Sequence, residues 1–177
     1  DLTGFDAVTA GFNVTAANCK FKNCEFITAT ATNQAVLGIL TSAAGTGFQV
    51  EDCYFRGTQT AGTTAAIRLV GGANHKIKGN RFIGAYSAGV GAIENLTTDV
   101  DNTYILDNHI WNTTAASTKA MVFTATGTAI ISGNRMQIKS GLAPITGAFA
   151  SWSGDNQFAR SVASNIFIGA IKGGITA

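Results

Sequence analysis

Apolar and polar positions alternate along this chain in short runs, and one six-residue run keeps returning. It occurs as Phe21-Lys-Asn-Cys24-Glu-Phe26, Val50-Glu-Asp-Cys53-Tyr-Phe55 and Ile77-Lys-Gly-Asn80-Arg-Phe82. It returns as Ile105-Leu-Asp-Asn108-His-Ile110, Ile131-Ser-Gly-Asn134-Arg-Met136 and Val162-Ala-Ser-Asn165-Ile-Phe167. The fourth positions are 24, 53, 80, 108, 134 and 165, separated by 29, 27, 28, 26 and 31 residues. A near-constant period of this size marks a repeat architecture.

Each column of the run has a physical reading. The third holds Asn23, Asp52, Gly79, Asp107, Gly133 and Ser164. Gly, Asn and Asp best tolerate a positive φ, so this column predicts one left-handed corner per repeat, joining two strands. The first and last columns are apolar and predicted to point inward. The fourth holds Cys24, Cys53, Asn80, Asn108, Asn134 and Asn165. A small polar residue repeated between two inward apolar ones predicts an internal ladder, with asparagines bonding one another and the turn backbone. The thiols fill the same slot as small hydrophobes. A second apolar segment follows each corner, at 35–40, 65–70, 91–96 and 120–125, with a weaker one at 145–150.

No stretch shows the 3.6-residue period of a helix, and a Greek-key sandwich would not repeat one corner at fixed spacing. The prediction is an all-β fold: a right-handed, single-stranded parallel β-helix (solenoid) of about six rungs, stacked about 4.8 Å apart. At 177 residues the chain is read as a single domain over 1–177. It opens on Asp1 without Met or a signal peptide, so a processed product or a fragment of a longer chain is expected.

Composition narrows the function. Charged residues are 12% of the chain, about half the usual share, so Thr, Ser, Asn, Gly and Ala must coat much of the surface. A net charge of +2 without a basic run makes no case for nucleic acid. No apolar run approaches the roughly 18 residues of a membrane span. Cys19, Cys24 and Cys53 lack zinc-site spacing, and an odd count argues against a disulfide framework. No metal site and no cofactor is expected.

Outward positions carry the candidate chemistry. Lys22, Glu51 and Lys78 alternate in sign and predict a solvated charge ladder. The column before the final apolar one holds Glu25, Tyr54, Arg81, His109, Arg135 and Ile166. Tyr54, Arg81, His109 and Arg135 form a candidate ligand-binding row, because arginine matches carboxylate forks and tyrosine offers a flat face. The plain alternative is a solvated basic stripe. His109 has no carboxylate in the motif to orient it as a base. The column after the final apolar one holds Ile27, Arg56, Ile83, Trp111, Gln137 and Ile168. Its apolar members, Ile27, Ile83, Trp111 and Ile168, predict either a subunit contact or a patch covered by the chain's own loops. Glu94, Asp99 and Asp101 are the best remaining carboxylate cluster, read as a polar turn. No catalytic residue is assigned.

The repeat Ile77-Lys-Gly-Asn80-Arg-Phe82 and its copies resemble those of the pectate-lyase-like right-handed β-helix superfamily, whose architecture virus tailspikes and other virion surface proteins share. The resemblance spans about residues 14 to 170 and bears on fold more than on activity. Enzymes of that superfamily carry an arginine or a set of aspartates on one exposed face, and no aspartate cluster stands on neighbouring rungs here. The resemblance therefore implies a non-enzymatic structural or adhesive protein of a phage particle, as capsid decoration or tail-spike part. It implies a homotrimer at a virion surface or outside the cell, with other virion proteins or a surface glycan as partners. The alternative is a domain that binds or cleaves acidic polysaccharide; a secreted bacterial adhesin is a third reading.

Overall fold

The computed structural model describes residues 9–27, 35–57, 63–86, 89–95, 97–140, 144–147, 151–153, 155–162 and 165–172. The chain repeats one order of three short strands. The first set is β1 (Ala10–Val14), β2 (Lys20–Lys22) and β3 (Glu25–Ile27). The second is β4 (Leu37–Thr41), β5 (Gln49–Glu51) and β6 (Tyr54–Arg56), and the third is β7 (Ala65–Leu69), β8 (Lys76–Lys78) and β9 (Arg81–Gly84). Next come β10 (Ile93–Asn95), β11 (Val100–Leu106) and β12 (His109–Asn112), then β13 (Met121–Phe123), β14 (Gly127–Ser132) and β15 (Arg135–Ile138). The last set is β16 (Ile145–Gly147), β17 (Ser151–Ser153) and β18 (Asp155–Val162), and β19 (Asn165–Lys172) follows it.

Each strand of these sets pairs in parallel with its counterparts above and below. The first sheet is β1-β4-β7-β10-β13-β16 and the second is β2-β5-β8-β11-β14-β17. The third is β3-β6-β9-β12-β15-β18, with β19 added to its end. The protein is a parallel β-helix, and no helix forms among the described residues.

The left-handed corners lie between the second and third sheets. Asn23, Asp52, Gly79, Asp107 and Gly133 have φ of 55°, 53°, 67°, 55° and 68°. Corner amides of Asn23, Asp52, Gly79 and Asp107 donate to Glu51, Lys78, Leu106 and Ser132 carbonyls of the next coil, at 3.0–3.1 Å. The corner thus keeps the hydrogen-bonded stack unbroken. Asp and Gly alternate here for a steric reason: a Cβ on Gly79 would stand 2.5 Å from Oδ1 of Asp52.

A second left-handed column, which the sequence reading overlooked, joins the first and second sheets. It is Asn18, Gly47, Asn74 and Asn102, with φ of 59°, 72°, 61° and 48°. Its spacings of 29, 27 and 28 carry the same period, so the signal was present. It lacks the flanking apolar pair that makes the other corner conspicuous.

Inward columns fill the coil. Val50, Ile77, Ile105 and Ile131 are buried on the second sheet, and Phe26, Phe55, Phe82, Ile110 and Met136 on the third. Phe26, Phe55 and Phe82 stack ring on ring, with centroids 4.4 and 4.7 Å apart, each pair worth about 0.5–1.5 kcal/mol beyond burial. Ile39, Ile67, Ile93 and Met121 close the core from the first sheet.

Beside the corners runs the ladder. Asn80 Oδ1 accepts the Cys53 amide at 2.9 Å. Asn108 Oδ1 accepts the Asn80 amide at 2.9 Å and Asn80 Nδ2 at 3.0 Å. Asn134 Oδ1 accepts the Asn108 amide at 3.0 Å and Asn108 Nδ2 at 2.9 Å. Every Nδ2 also donates to the strand carbonyl of the preceding coil: Val50, Ile77 and Ile105, at 2.9 Å each. In the first coils Cys53 Sγ accepts the Cys24 amide at 3.4 Å. The Cys24 and Cys53 thiols donate to the carbonyls of Lys22 and Glu51.

The sixth motif departs from its predicted place. Asn165 opens β19, in register with Val162, and β18–β19 is an antiparallel hairpin and not another corner. The side chain of Asn165 lies outside the described residues. The ladder instead ends on Asn156, whose Oδ1 accepts the Asn134 amide at 3.1 Å and Asn134 Nδ2 at 2.8 Å. Two causes hid Asn156. It stands 22 residues after Asn134, and Ser153 holds the place of the first apolar column. The run Asp155-Asn156-Gln157-Phe158 does repeat Asp107-Asn108-His109-Ile110 in kind.

A candidate anion-binding face on the third sheet

Strand alternation turns every second residue of the third sheet outward. Glu25, Tyr54, Arg81, His109, Arg135 and Gln157 are consecutive register partners, so the predicted row is continuous. Gln157 takes the last place, which the sequence reading gave to Ile166. Arg81, His109 and Arg135 are exposed and Tyr54 is half-buried. The Arg81 guanidinium lies over the Tyr54 ring, 5.3 Å from its centroid. Glu25 at the head of the row is tied to Arg56 at 3.2 Å. Among the described residues neither Arg81 nor Arg135 makes a salt bridge.

His109 has Arg81 on one side and Arg135 on the other, each about one strand spacing of 4.8 Å away. Loss of solvent against the sheet, and then the two guanidiniums, push its pKa below the ordinary 6.5. It is therefore neutral near pH 7. No carboxylate stands next to it in the row.

Two residues along each strand lies a second outward row. Ile27, Arg56, Ile83, Trp111 and Gln137 are register partners, and Ile27, Ile83 and Trp111 are half-buried. Ala159 continues this row, and Ile168 is the register partner of Ala159 on β19. The side chain of Ile168 lies outside the described residues. The basic row and the apolar row, assigned to separate tasks from sequence, are thus neighbours on one sheet face. Trp111 stands two residues from His109 on β12.

The other outward candidates fall elsewhere. Lys22, Glu51 and Lys78 share a register row on the second sheet, but they do not pair along it. Glu51 is held diagonally by Lys20 at 2.7 Å and Lys76 at 2.8 Å. Hydrogen bonds from Lys20 first, and then from Lys76, hold its pKa at about 2.

The carboxylate cluster predicted at Glu94, Asp99 and Asp101 is divided by the fold. Glu94 lies in β10 of the first sheet, fully buried, with Oε1 2.5 Å from Arg68 Nε. Among the described residues its Oε2 has no hydrogen-bond partner, and burial pushes its pKa up against the pull of Arg68. Asp99 and Asp101 lie at the entry to the second sheet instead. They accept hydrogen bonds from Thr126 Oγ1 at 2.6 Å and Thr128 Oγ1 at 3.4 Å. A shallow hollow of about 120 Å³ lined by Asn102, Thr103, Thr128, Ala129 and Ile130 adjoins them. Among the described residues no group of three His, Cys, Asp or Glu side chains is placed to hold a metal ion.

Comparison with protein-family models, with curated proteins and with solved structures finds no match.

Proposed function

We propose that this chain is a non-enzymatic, adhesive β-helix whose third sheet binds an acidic polysaccharide. The observation that carries the reading is the continuous register of Tyr54, Arg81, His109 and Arg135 on one outer face. Two guanidiniums two strands apart give forked donors for carboxylate or sulfate groups. The Tyr54 ring supports the Arg81 guanidinium that lies over it, 5.3 Å from its centroid. The hydrogen-bonded stack of coils fixes the backbone that carries these groups, so no backbone ordering cost falls on binding. Binding is favoured over hydrolysis because acid–base hydrolysis of a glycosidic bond needs a carboxylate pair about 5–9 Å apart, and neither Arg81, His109 nor Arg135 has a carboxylate as register partner; cleavage by β-elimination, for which an arginine can be the base, is decided by the polymer's chain length in the test below.

The setting we propose is the surface of a virus particle, with the chain assembled as a homotrimer through the Ile27–Ile83–Trp111 row. That part rests on the resemblance of the repeats to pectate-lyase-like and tailspike β-helices and on the apolar character of the row. The test is binding of polygalacturonate by the parent and by Arg81→Ala/Arg135→Ala. The expected result is salt-sensitive binding by the parent, reduced at least tenfold in the double variant, with the polymer's chain length unchanged. Equal binding by the two proteins refutes the assignment of the row, and shortened polymer refutes the non-enzymatic reading.

A further inference from the structure

The two arginines have a fixed charge, and the residue between them does not. We infer that the row is a pH-dependent anion site in which His109 is the titrating centre, so that sulfated or carboxylated polymers are held more tightly on the acid side of neutrality. This rests on the proposed reading of the face as an anion site and adds its regulation.

The geometry is specific about what surrounds His109. Arg81 faces it from β9 and Arg135 from β15. On its own strand the next outward residue is Trp111. Asp107, two residues earlier, turns its carboxylate over Gly133 in the corner column. Glu25 is three strands away and already paired with Arg56. The protein thus surrounds the imidazole with positive charge, and nothing in the row favours its protonated form. Loss of solvent against the sheet, and then the two guanidiniums, leave its pKa below the ordinary 6.5 in the free protein.

An anionic polymer lying on Arg81 and Arg135 passes over His109, because His109 is the register partner of both. Its negative charge reverses the balance and raises the histidine's pKa. Linkage then requires that binding take up a proton. The sign follows. The extra affinity is fully present below the free-state pKa and is lost as pH rises through the higher, ligand-bound pKa. Below that window the ligand meets three consecutive cations, and above it two cations separated by a neutral ring.

The experiment measures binding of dextran sulfate, whose sulfates stay ionised throughout, at about pH 5 and pH 8, the range in which histidine titrates. It uses the parent, His109→Gln and Arg81→Ala/Arg135→Ala, with calorimetry in two buffers of different ionisation enthalpy to count protons. The expected result is about tenfold tighter binding at the lower pH, with proton uptake, and a nearly flat profile in His109→Gln. His75, the other histidine, is fully buried and untouched by that substitution. Arginine-dependent binding that is equal at both pH values, or a pH effect that survives in His109→Gln, overturns this inference and leaves the anion site standing. Absence of binding at both pH values, or binding indifferent to loss of both arginines, overturns the site and the inference together.

Discussion

Replacing Asn108 with Leu tests the ladder at its centre. The Asn108 side chain takes part in four hydrogen bonds: it accepts from the amide and Nδ2 of Asn80, and donates to Ile77 O and Asn134 Oδ1. Leucine is close in size and more apolar, so burial alone favours the variant by about 1–2 kcal/mol. The unmade bonds outweigh that. The Asn80 amide loses the acceptor it holds at 2.9 Å, in a site where Asn80 is 1% exposed. Ile77 O loses its side-chain donor, whereas Asn134 Oδ1 still accepts the Asn108 amide and Asn80 Nδ2 still reaches Val50 O. One stranded donor and one weakened acceptor, at about 1–3 kcal/mol per unsatisfied group, leave a net destabilisation of about 2–3 kcal/mol. Urea unfolding followed by circular dichroism reads this as a lower midpoint with an unchanged slope. Asn108→Cys, which imitates Cys53, should cost less than Asn108→Leu because the thiol still accepts a neighbouring amide. A midpoint for Asn108→Leu equal to the parent's would refute the claim that these amides hold the coils in register.

Three more outcomes follow from particular contacts. Gly79→Val should destabilise more than Gly79→Asn, since a β-branched residue is an outlier at φ of 67°. Asn should in turn recover most of its loss in the Asp52→Gly background, where the oxygen 2.5 Å from the new Cβ is gone; no recovery in melting temperature would refute the steric account. The Glu51 carboxyl is depressed from 4.5 to about 2, so its stabilisation is complete above about pH 4.5 and is lost as pH falls through 2. Screening at Lys20 and Lys76, whose side chains are 42% and 39% exposed, limits the effect to roughly 1–2 kcal/mol. Unfolding free energy of Glu51→Gln should therefore vary less across that window than the parent's, and parallel curves would refute the pairing. Trp111→Lys should give β-rich monomers by light scattering if the apolar row is a subunit contact, and an assembly unchanged at low concentration would refute that contact.

The sequence by itself determined the coil. Its period, its inward apolar columns and its column of Gly, Asn and Asp are properties of single positions, and local chemistry enforces each one. A residue that tolerates positive φ makes a corner wherever it recurs between two apolar residues, and equal spacing stacks the corners. The basic row was legible for the same reason, since strand alternation and a fixed register put Tyr54, Arg81, His109 and Arg135 in line.

Only the tertiary structure decided matters that depend on two coils at once. Glu51 takes Lys20 and Lys76 and not Lys22 and Lys78, because long side chains reach diagonally and the column alone does not fix their direction. The ladder ends on Asn156 because the final coil is short and the chain then doubles back as the β18–β19 hairpin, which no column statistic measures. Asp and Gly alternate at the corner because each aspartate leans over the next coil. Glu94 and Asp101, close in sequence, part to different sheets because β10 ends at Asn95 and β11 begins at Val100, whereas residues about 28 positions apart become neighbours. In a coil of this kind, contact follows the period of the chain and not its local order.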